Sequence, residues 1–355
     1  MSKIPVAVLG ATGTVGQRFI QLLDNHPWFE VTTLTGSDRS AGQVYGDACH
    51  WLMNTEMPAW ARSMRVVPNV PVDYNVAVAF SALPTATAKE VEPVLAQAGV
   101  VVCSNASAYR QEPDVPILLP EANADHANLV AFQRQQRGWK GCIVTNPNCT
   151  STGLTIALKA LGNAFGLEKL FAVSMQAISG AGYPGVASYD ILDNIIPYVG
   201  GAEEEKVEQE PRKMLGTFTG QAIQLADFVA SAHTNRVPVA DGHTVCASVA
   251  LATPATPEEA MTVLREYRGP EASRGLPSSP DPVIAVRTGI DQPQPRFERG
   301  TGKGMSTVIG RVRADPLFTL KFVVFSHNTV RGAAGGAVYN AELLTRMGII
   351  DKALF

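Results

Sequence analysis

Along its first half the chain alternates between short apolar runs and longer stretches with apolar residues every three or four positions. IPVAVLG, from Ile4, is the first such run; the glycine-rich turn GATGTVG follows, and QRFIQLLDNHP then carries a helical period. A short apolar run bounded by turn residues predicts a buried strand, and i, i+3, i+4 spacing predicts an amphipathic helix. FEVTTLTG closes the unit as a second strand. The alternation continues through VAVAFSALP, the helical KEVEPVLAQAG, VVVCSNAS, and GCIVTNPN before the helical STGLTIALKAL. Strands alternating with helices predict an α/β fold on a doubly wound parallel sheet.

After Leu161 the texture changes. LFAVSMQAIS, TVCASVAL, PVIAVR and TLKFVVFS read as strands with longer connections, predicting a second, α+β unit on a mixed or antiparallel sheet. Within it GGAEEEKVEQEPRKMLG predicts a charged helical insertion, and SRGLPSSPDP a loop. In the last segment Val338, Leu343, Leu344 and Met347 have helical spacing, which predicts a helix packed back on the first unit. The expected division is 1–149 plus 331–355 for the first domain and 150–330 for the second. A length of 355 residues agrees with two domains.

Composition narrows the functional classes. At 46% hydrophobic and 17% charged residues the chain has ample apolar material for a core, and a net charge of −3 leaves no footprint for nucleic acid or an anionic membrane. No apolar run reaches the roughly 18 residues of a membrane span. Five scattered cysteines without a CxxC pair point to a reducing compartment, hence the cytoplasm, and no metal-ligand spacing is present.

Two motifs carry chemistry. GATGTVG places Gly10, Gly13 and Gly16 between a strand and a helix, where glycines let main-chain N–H groups approach a pyrophosphate at the helix N-terminus. The spacing differs from G-x-G-x-x-G, and a plain tight turn is the bland alternative. At the end of the second strand, TGSDRSAG offers Ser37, Arg39 and Ser40 to a 2′-phosphate, which favours NADP; Asp38 facing a ribose, or a solvated turn, are the alternatives.

The second motif is NPNCTSTG. Cys149 falls at a strand–helix junction, where the field of a helix N-terminus lowers a thiol pKa, and Asn148 with the Cys149 N–H is placed to hold an oxyanion. A lone cysteine is more often a small core residue, but Pro147 and two asparagines make a poor core strand. RVPVADGH adds Arg236 for a carboxylate and His243 for acid/base work.

Taken together and in this order, GATGTVG, SNASAYR, NPNCTSTG, QAISGAG, EEEK, RVPVADGH and NTVRGAAG resemble the aspartate-β-semialdehyde dehydrogenases of archaea and fungi, over nearly the whole chain. The resemblance implies a Rossmann-type domain, a dimerising catalytic domain, a homodimer or homotetramer, and NADP-linked reductive dephosphorylation of L-4-aspartyl phosphate to L-aspartate 4-semialdehyde in amino-acid biosynthesis. By motif it implies Cys149 as nucleophile, His243 as acid/base, Gln176 orienting the acyl group, Arg236 on the substrate carboxylate and Glu203 on its ammonium. Arg110, Lys206 and Asn105 would bind phosphate. Thr12, Thr14, Val15, Ser81 and Asn328 would join the glycines at the cofactor, Asn328 at the nicotinamide amide. For EEEK a solvated helix face is the alternative, and Glu203 is chosen by its offset of three from Lys206. Rival readings are a malonyl-CoA-type acyl-CoA reductase, an N-acetyl-glutamyl-phosphate reductase, and a non-catalytic dinucleotide sensor, for which a nucleophile has no use.

Overall fold

The computed structural model describes residues 2–69 and 75–350; residues 351–355, the end of the expected first-domain segment, lie outside the described residues. Among the described residues six strands form the first sheet: β1 (Ile4–Leu9), β2 (Phe29–Gly36), β3 (Val66–Pro68), β4 (Val78–Ser81), β5 (Val101–Ser104) and β6 (Cys142–Thr145). All pair in parallel, in the order β3-β2-β1-β4-β5-β6. The chain runs outward from β1 to β3 and returns to place β4 beside β1. That reversal opens a crevice beyond the carboxyl ends of β1 and β4, where ligands of such sheets bind.

The period-two alternation of β1 sets both cores. Val6 and Val8 join Phe19, Ile20 and Leu23 of the helix Thr14–Leu23 on one face, while Ala7 and Leu9 join Val91 and Leu95 of the helix Thr85–Ala98 on the other. Phe19 stacks on Phe80 of β4 with ring centroids 5.1 Å apart. Each such buried side chain contributes about 1.5–3 kcal/mol. The helix Gly335–Arg346 adds Ala337, Val338, Ala341 and Leu344 to the Val6 side, returning the end of the chain to the first sheet.

The helix Cys149–Phe165 leaves the end of β6 and enters a second core with Leu154, Ile156, Leu158 and Leu161. Its partner is a mixed sheet of seven strands among the described residues: β7 (Leu167–Gln176), β8 (Ile196–Pro197), β11 (Val229–Arg236), β12 (His243–Leu251), β13 (Ile284–Val286), β14 (Thr307–Ala314) and β15 (Leu320–Ser326). A small ribbon, β9 (Thr217–Phe218) with β10 (Ile223–Gln224), stands apart. The order is β13-β14-β15-β12-β7-β11-β8; β7 runs antiparallel to β12 and parallel to β11. Register then fixes the chemistry, because Arg236 ending β11 lies opposite Gln176 ending β7, and Thr244 of β12 lies opposite Met175. His243, Gln176 and Arg236 therefore meet at one edge of the sheet. No described helix is long and apolar enough to cross a membrane.

Candidate active site

A cavity of about 780 Å³ lies where the crevice of the first sheet faces that edge of the second. Thr14, Val15, Asn105, Arg110, Asn148, Cys149, Gln176, Glu203, Lys206, Arg236 and Asn328 all line it, so residues far apart in sequence share one space. His243 joins them through the nucleophile: its Nε2 is 3.2 Å from Cys149 Sγ.

Cys149 is the first residue of its helix. Asn148 is the N-cap, its Oδ1 accepting from the N–H groups of Thr150 and Ser151 at 2.9 and 3.3 Å, and its Nδ2 donates to Glu203 Oε1 at 2.6 Å. The Asn148 amide, expected at the oxyanion, thus also caps the helix and steadies Glu203 while lining the cavity. Two glycines close the site: Gly332, in the NTVRGAAG run, and Gly180, which sequence reasoning missed. A Cβ on Gly332 would come within 2.9 Å of Cys149 Cβ, and one on Gly180 within 2.8 Å of Arg236 Nη1 and 3.1 Å of His243 Cε1. Gly332 sits in a wide π-helical turn, Val330–Ala334, a distortion often found at functional sites. The other missed residue is Asn146, which donates to Asn105 Oδ1 and to the Ala333 carbonyl, both at 2.7 Å, and so stitches the NPNC loop to the first domain and the C-terminal segment.

The electrostatics depart from expectation. Burial pushes the Cys149 thiol up to about 12; the Glu203 carboxylate adds to this, while Arg110, Arg236 and the Cys149 N–H act against it. The predicted depressed thiol is therefore a correction, because desolvation outweighs the helix terminus here. Cys149 keeps partial exposure to the cavity, and water there lessens that penalty. Burial, with Arg236 and His327 nearby, lowers His243 to about 3, so the ring is neutral. Its Nδ1 accepts the Ala177 N–H at 3.0 Å, which puts the proton of the neutral ring on Nε2, facing sulfur. The acid/base expectation narrows accordingly: at rest His243 is a hydrogen-bond donor to Cys149.

Beside this pair the charged side chains sort into two groups. Arg236 donates Nη1 to the Ala177 carbonyl at 2.7 Å, and Glu203 takes Gln176 Nε2 at 3.3 Å as well as Asn148. Of the three glutamates, Glu203 is buried at the cavity, Glu204 accepts the Thr234 N–H of β11 at 2.9 Å, and Glu205 is exposed. Lys206 Nζ lies 3.5 Å from Glu203 Oε2. Arg110 is held by Glu210 at 3.1 Å and by the Asn105 carbonyl at 2.8 Å, while Asn105 Nδ2 donates to the Ser81 carbonyl at 3.1 Å.

The glycine turn fits a pyrophosphate. Gly10 has φ +70°, and a Cβ on Gly16 would lie 2.3 Å from the Gly10 carbonyl oxygen, so the helix can pack this close only with glycine there. The helix Thr14–Leu23 has no side-chain cap at Gly13 and no acidic residue in its first turn, and Thr14 Oγ1 is buried without a protein partner. An uncapped, unneutralised helix start with an orphaned hydroxyl suits an anion. Thr12 sits on the turn, its carbonyl accepting from Gln17 at 3.0 Å. Ser37 and Arg39 are exposed past β2, as a 2′-phosphate pocket requires, but Ser40 is corrected: its Oγ donates to the Ser37 carbonyl at 3.0 Å and is turned inward. Ser81 is also corrected, being fully buried with its hydroxyl beside the Glu92 carboxyl, away from the cavity. Asn328 lines the cavity with its amide bonded to Ser179 Oγ at 2.9 Å and to the Gly242 N–H at 2.8 Å.

Residues 5–130 match the family described as semialdehyde dehydrogenase, NAD binding domain, and 158–331 its dimerisation domain. An aspartate-semialdehyde dehydrogenase of Archaeoglobus fulgidus is 49% identical, covering 98% of this chain and 100% of the relative; one of Schizosaccharomyces pombe is 45% identical over 97% and 99%. A crystal structure of the Candida albicans aspartate semialdehyde dehydrogenase with NADP superposes with a TM-score of 0.90 at 40% identity, covering 98% of this chain and 100% of that one. With the paired sheets and the cavity between them, these likenesses show that the chain belongs to the aspartate-semialdehyde dehydrogenase family, in the company of its archaeal and fungal members.

Proposed function

We propose that the protein catalyses the NADPH-dependent reductive dephosphorylation of L-4-aspartyl phosphate to L-aspartate 4-semialdehyde, on the biosynthetic route to lysine, threonine and methionine. One observation carries this reading: a cysteine paired to a histidine lies in a cavity that also holds Arg236 with Glu203 and Arg110 with Lys206. The first pair matches the carboxylate and ammonium of an amino acid, and the second a phosphate. Glu203 has no partner to find in a malonyl-CoA-type substrate, which counts against that alternative.

In this reading Cys149 attacks the acyl carbon as the thiolate, its proton given up beforehand to water in the cavity and the anion held by the His243 Nε2–H; the bond to phosphate breaks, and phosphate departs between Arg110 and Lys206, leaving a thioester. Gln176, held by Ser174 and Glu203, orients the acyl group, and the Cys149 main-chain N–H faces the developing oxyanion. Gly10, Gly13, Thr14, Val15 and Gly16 would hold the cofactor pyrophosphate, Ser37 and Arg39 the 2′-phosphate, and Asn328 the nicotinamide end. When bound, the cofactor supplies the hydride that takes the acyl group to the aldehyde level. As the carbon–sulfur bond breaks, sulfur is met by the His243 Nε2–H.

The reading includes a homodimer or homotetramer, supported by the dimerisation-domain match, and a division at 149/150 and 330/331, supported by the two separate sheets. Cytoplasmic residence is supported by the free cysteines. The test follows NADP reduction with aspartate semialdehyde and either phosphate or coenzyme A. Phosphate-dependent turnover is expected; turnover requiring coenzyme A overturns the reading.

A further inference from the structure

The face of the helix Glu203–Met214 that brings Glu203 and Lys206 to the cavity continues with Glu210 and Lys213, outside it. Offsets of three and four residues keep all four on one stripe. Glu210 is fully buried, and its two oxygens serve different parts of the site. Oε1 accepts from Arg110 Nη1 at 3.1 Å, and Oε2 accepts the main-chain N–H of Asn148, the residue capping the helix of Cys149. Arg110 Nε is buried without a protein partner, which leaves it free for a ligand. The loop that carries Arg110 is fixed separately: Lys213 Nζ donates to the carbonyls of Arg110, Glu112 and Val115 at 2.7, 2.7 and 2.8 Å.

We propose that Glu210 is a positioning residue which, through one carboxylate, aims Arg110 at the phosphate and holds the Asn148–Cys149 helix start in place; the inference rests on the phosphate-dependent reading above. Among the described residues the Arg110 guanidinium has only the Asn105 carbonyl as another hydrogen-bond partner, so Glu210 decides where it points. The carboxylate also offsets the arginine charge, so that a phosphate dianion is bound and still released. Without it, the buried Asn148 N–H loses its acceptor directly before the nucleophile. Because Lys213 anchors the loop independently, exchanging Glu210 disturbs the guanidinium and the helix start before it disturbs the fold.

The test uses the full-length protein. Glu210→Gln keeps the shape but offers one acceptor and one donor to two donors. The phosphate KM is expected to rise roughly tenfold or more, as for a buried charge pair that loses one member. Alkylation of Cys149 by iodoacetamide, measured without substrate or phosphate, is expected to slow by about threefold or more as the sulfur shifts from its seat. In the double variant with Arg110→Gln the phosphate KM should be no higher than in Arg110→Gln alone, since Glu210 acts through that arginine. An unchanged phosphate KM, an unchanged alkylation rate, or effects that multiply in the double variant overturn the proposal. If Glu210→Gln does not fold, Glu210→Asp, which keeps the charge but falls one methylene short of reaching both partners, is measured with the same expectations. Absence of phosphate-dependent turnover in the unmodified protein defeats the functional reading instead, and the alkylation rate still reports on the Glu210–Asn148 tie.

Discussion

His243 turns Nε2 to Cys149 Sγ at 3.2 Å while its Nδ1 accepts the Ala177 N–H at 3.0 Å. The two contacts fix the tautomer, since a ring whose Nδ1 is an acceptor carries its single proton on Nε2. With the pKa lowered to about 3 by burial and by Arg236 and His327, the ring is neutral at every pH above that value. Ring-¹⁵N histidine NMR should show one histidine with protonated Nε2 and unprotonated Nδ1, unchanged across about pH 5 to 8. A signal from that residue moving to the imidazolium position near neutrality would contradict the assignment.

The raised Cys149 thiol gives a second expectation. Its thiolate fraction should keep growing above the ordinary thiol value of 9.0, so the alkylation rate of the ligand-free protein should climb through about pH 10 instead of levelling off. Glu203 pushes the thiol up, so Glu203→Gln should speed alkylation at fixed pH by about threefold to tenfold while raising the KM for the amino-acid substrate. A plateau near neutral pH, or slower alkylation in the variant, would rule out this balance of charges.

Much of this was legible in the chain, and what was missed has physical causes. Five of the six described strands of the first sheet announce themselves as short runs with a glycine or proline boundary, whereas β3, only three residues from Val66 to Pro68, is too short to show a pattern. β11 was not anticipated: VASAHTNR lacks the bulky β-branched pattern, and three of its first five residues, Val229, Ser231 and His233, face solvent. β14 shifts register between Gly310 and Arg313, and a Cβ on Gly310 would sit 2.5 Å from the Gln292 carbonyl oxygen, so its pattern is broken mid-strand. At the site, side-chain identity pointed to chemistry but not to direction. Ser40 and Ser81 have suitable hydroxyls, and only the fold shows that both turn inward. The sign of the Cys149 shift was equally hidden, since the helix start is readable from NPNCT whereas burial by the second domain is not. Glu210 did leave a signal, seven residues past Glu203 on the same helix face, but a run of charges ordinarily means a solvated surface.

Gly332→Ala tests how tightly the nucleophile is seated. The new Cβ would lie 2.9 Å from Cys149 Cβ and 3.0 Å from its Cα, and a main-chain neighbour cannot swing aside as a flexible side chain would. A displacement of the sulfur by several tenths of an ångström is expected, and with it a fall in kcat on the order of a hundredfold. NADP affinity, measured by fluorescence titration, should change little, because the glycine turn lies in another part of the cavity. A variant with ordinary kcat would show that the seat is loose.

Glu92 tests the floor beneath the cavity. It is fully buried on the helix Thr85–Ala98, its Oε1 accepts Ser104 Oγ–H at 2.6 Å, and its Oε2 has no hydrogen-bond partner. Burial raises the carboxyl to about 7 from an ordinary 4.5, against the opposing effect of the two serines. The sign follows from proton binding. Between these values the folded chain holds the proton and the unfolded chain has released it, so the stability fully present below 4.5 is lost as pH rises through about 7. Glu92→Gln cannot ionise; its carbonyl can accept from Ser104, and its amide takes the place of the unpartnered Oε2 beside the Ser81 hydroxyl. Denaturant titrations should therefore show the variant gaining on the parent as pH rises from about 5 to 8, by at most on the order of 3 kcal/mol. Equal pH dependence in the two proteins would mean that Glu92 is ionised in the fold and that its burial is offset by contacts other than these two serines.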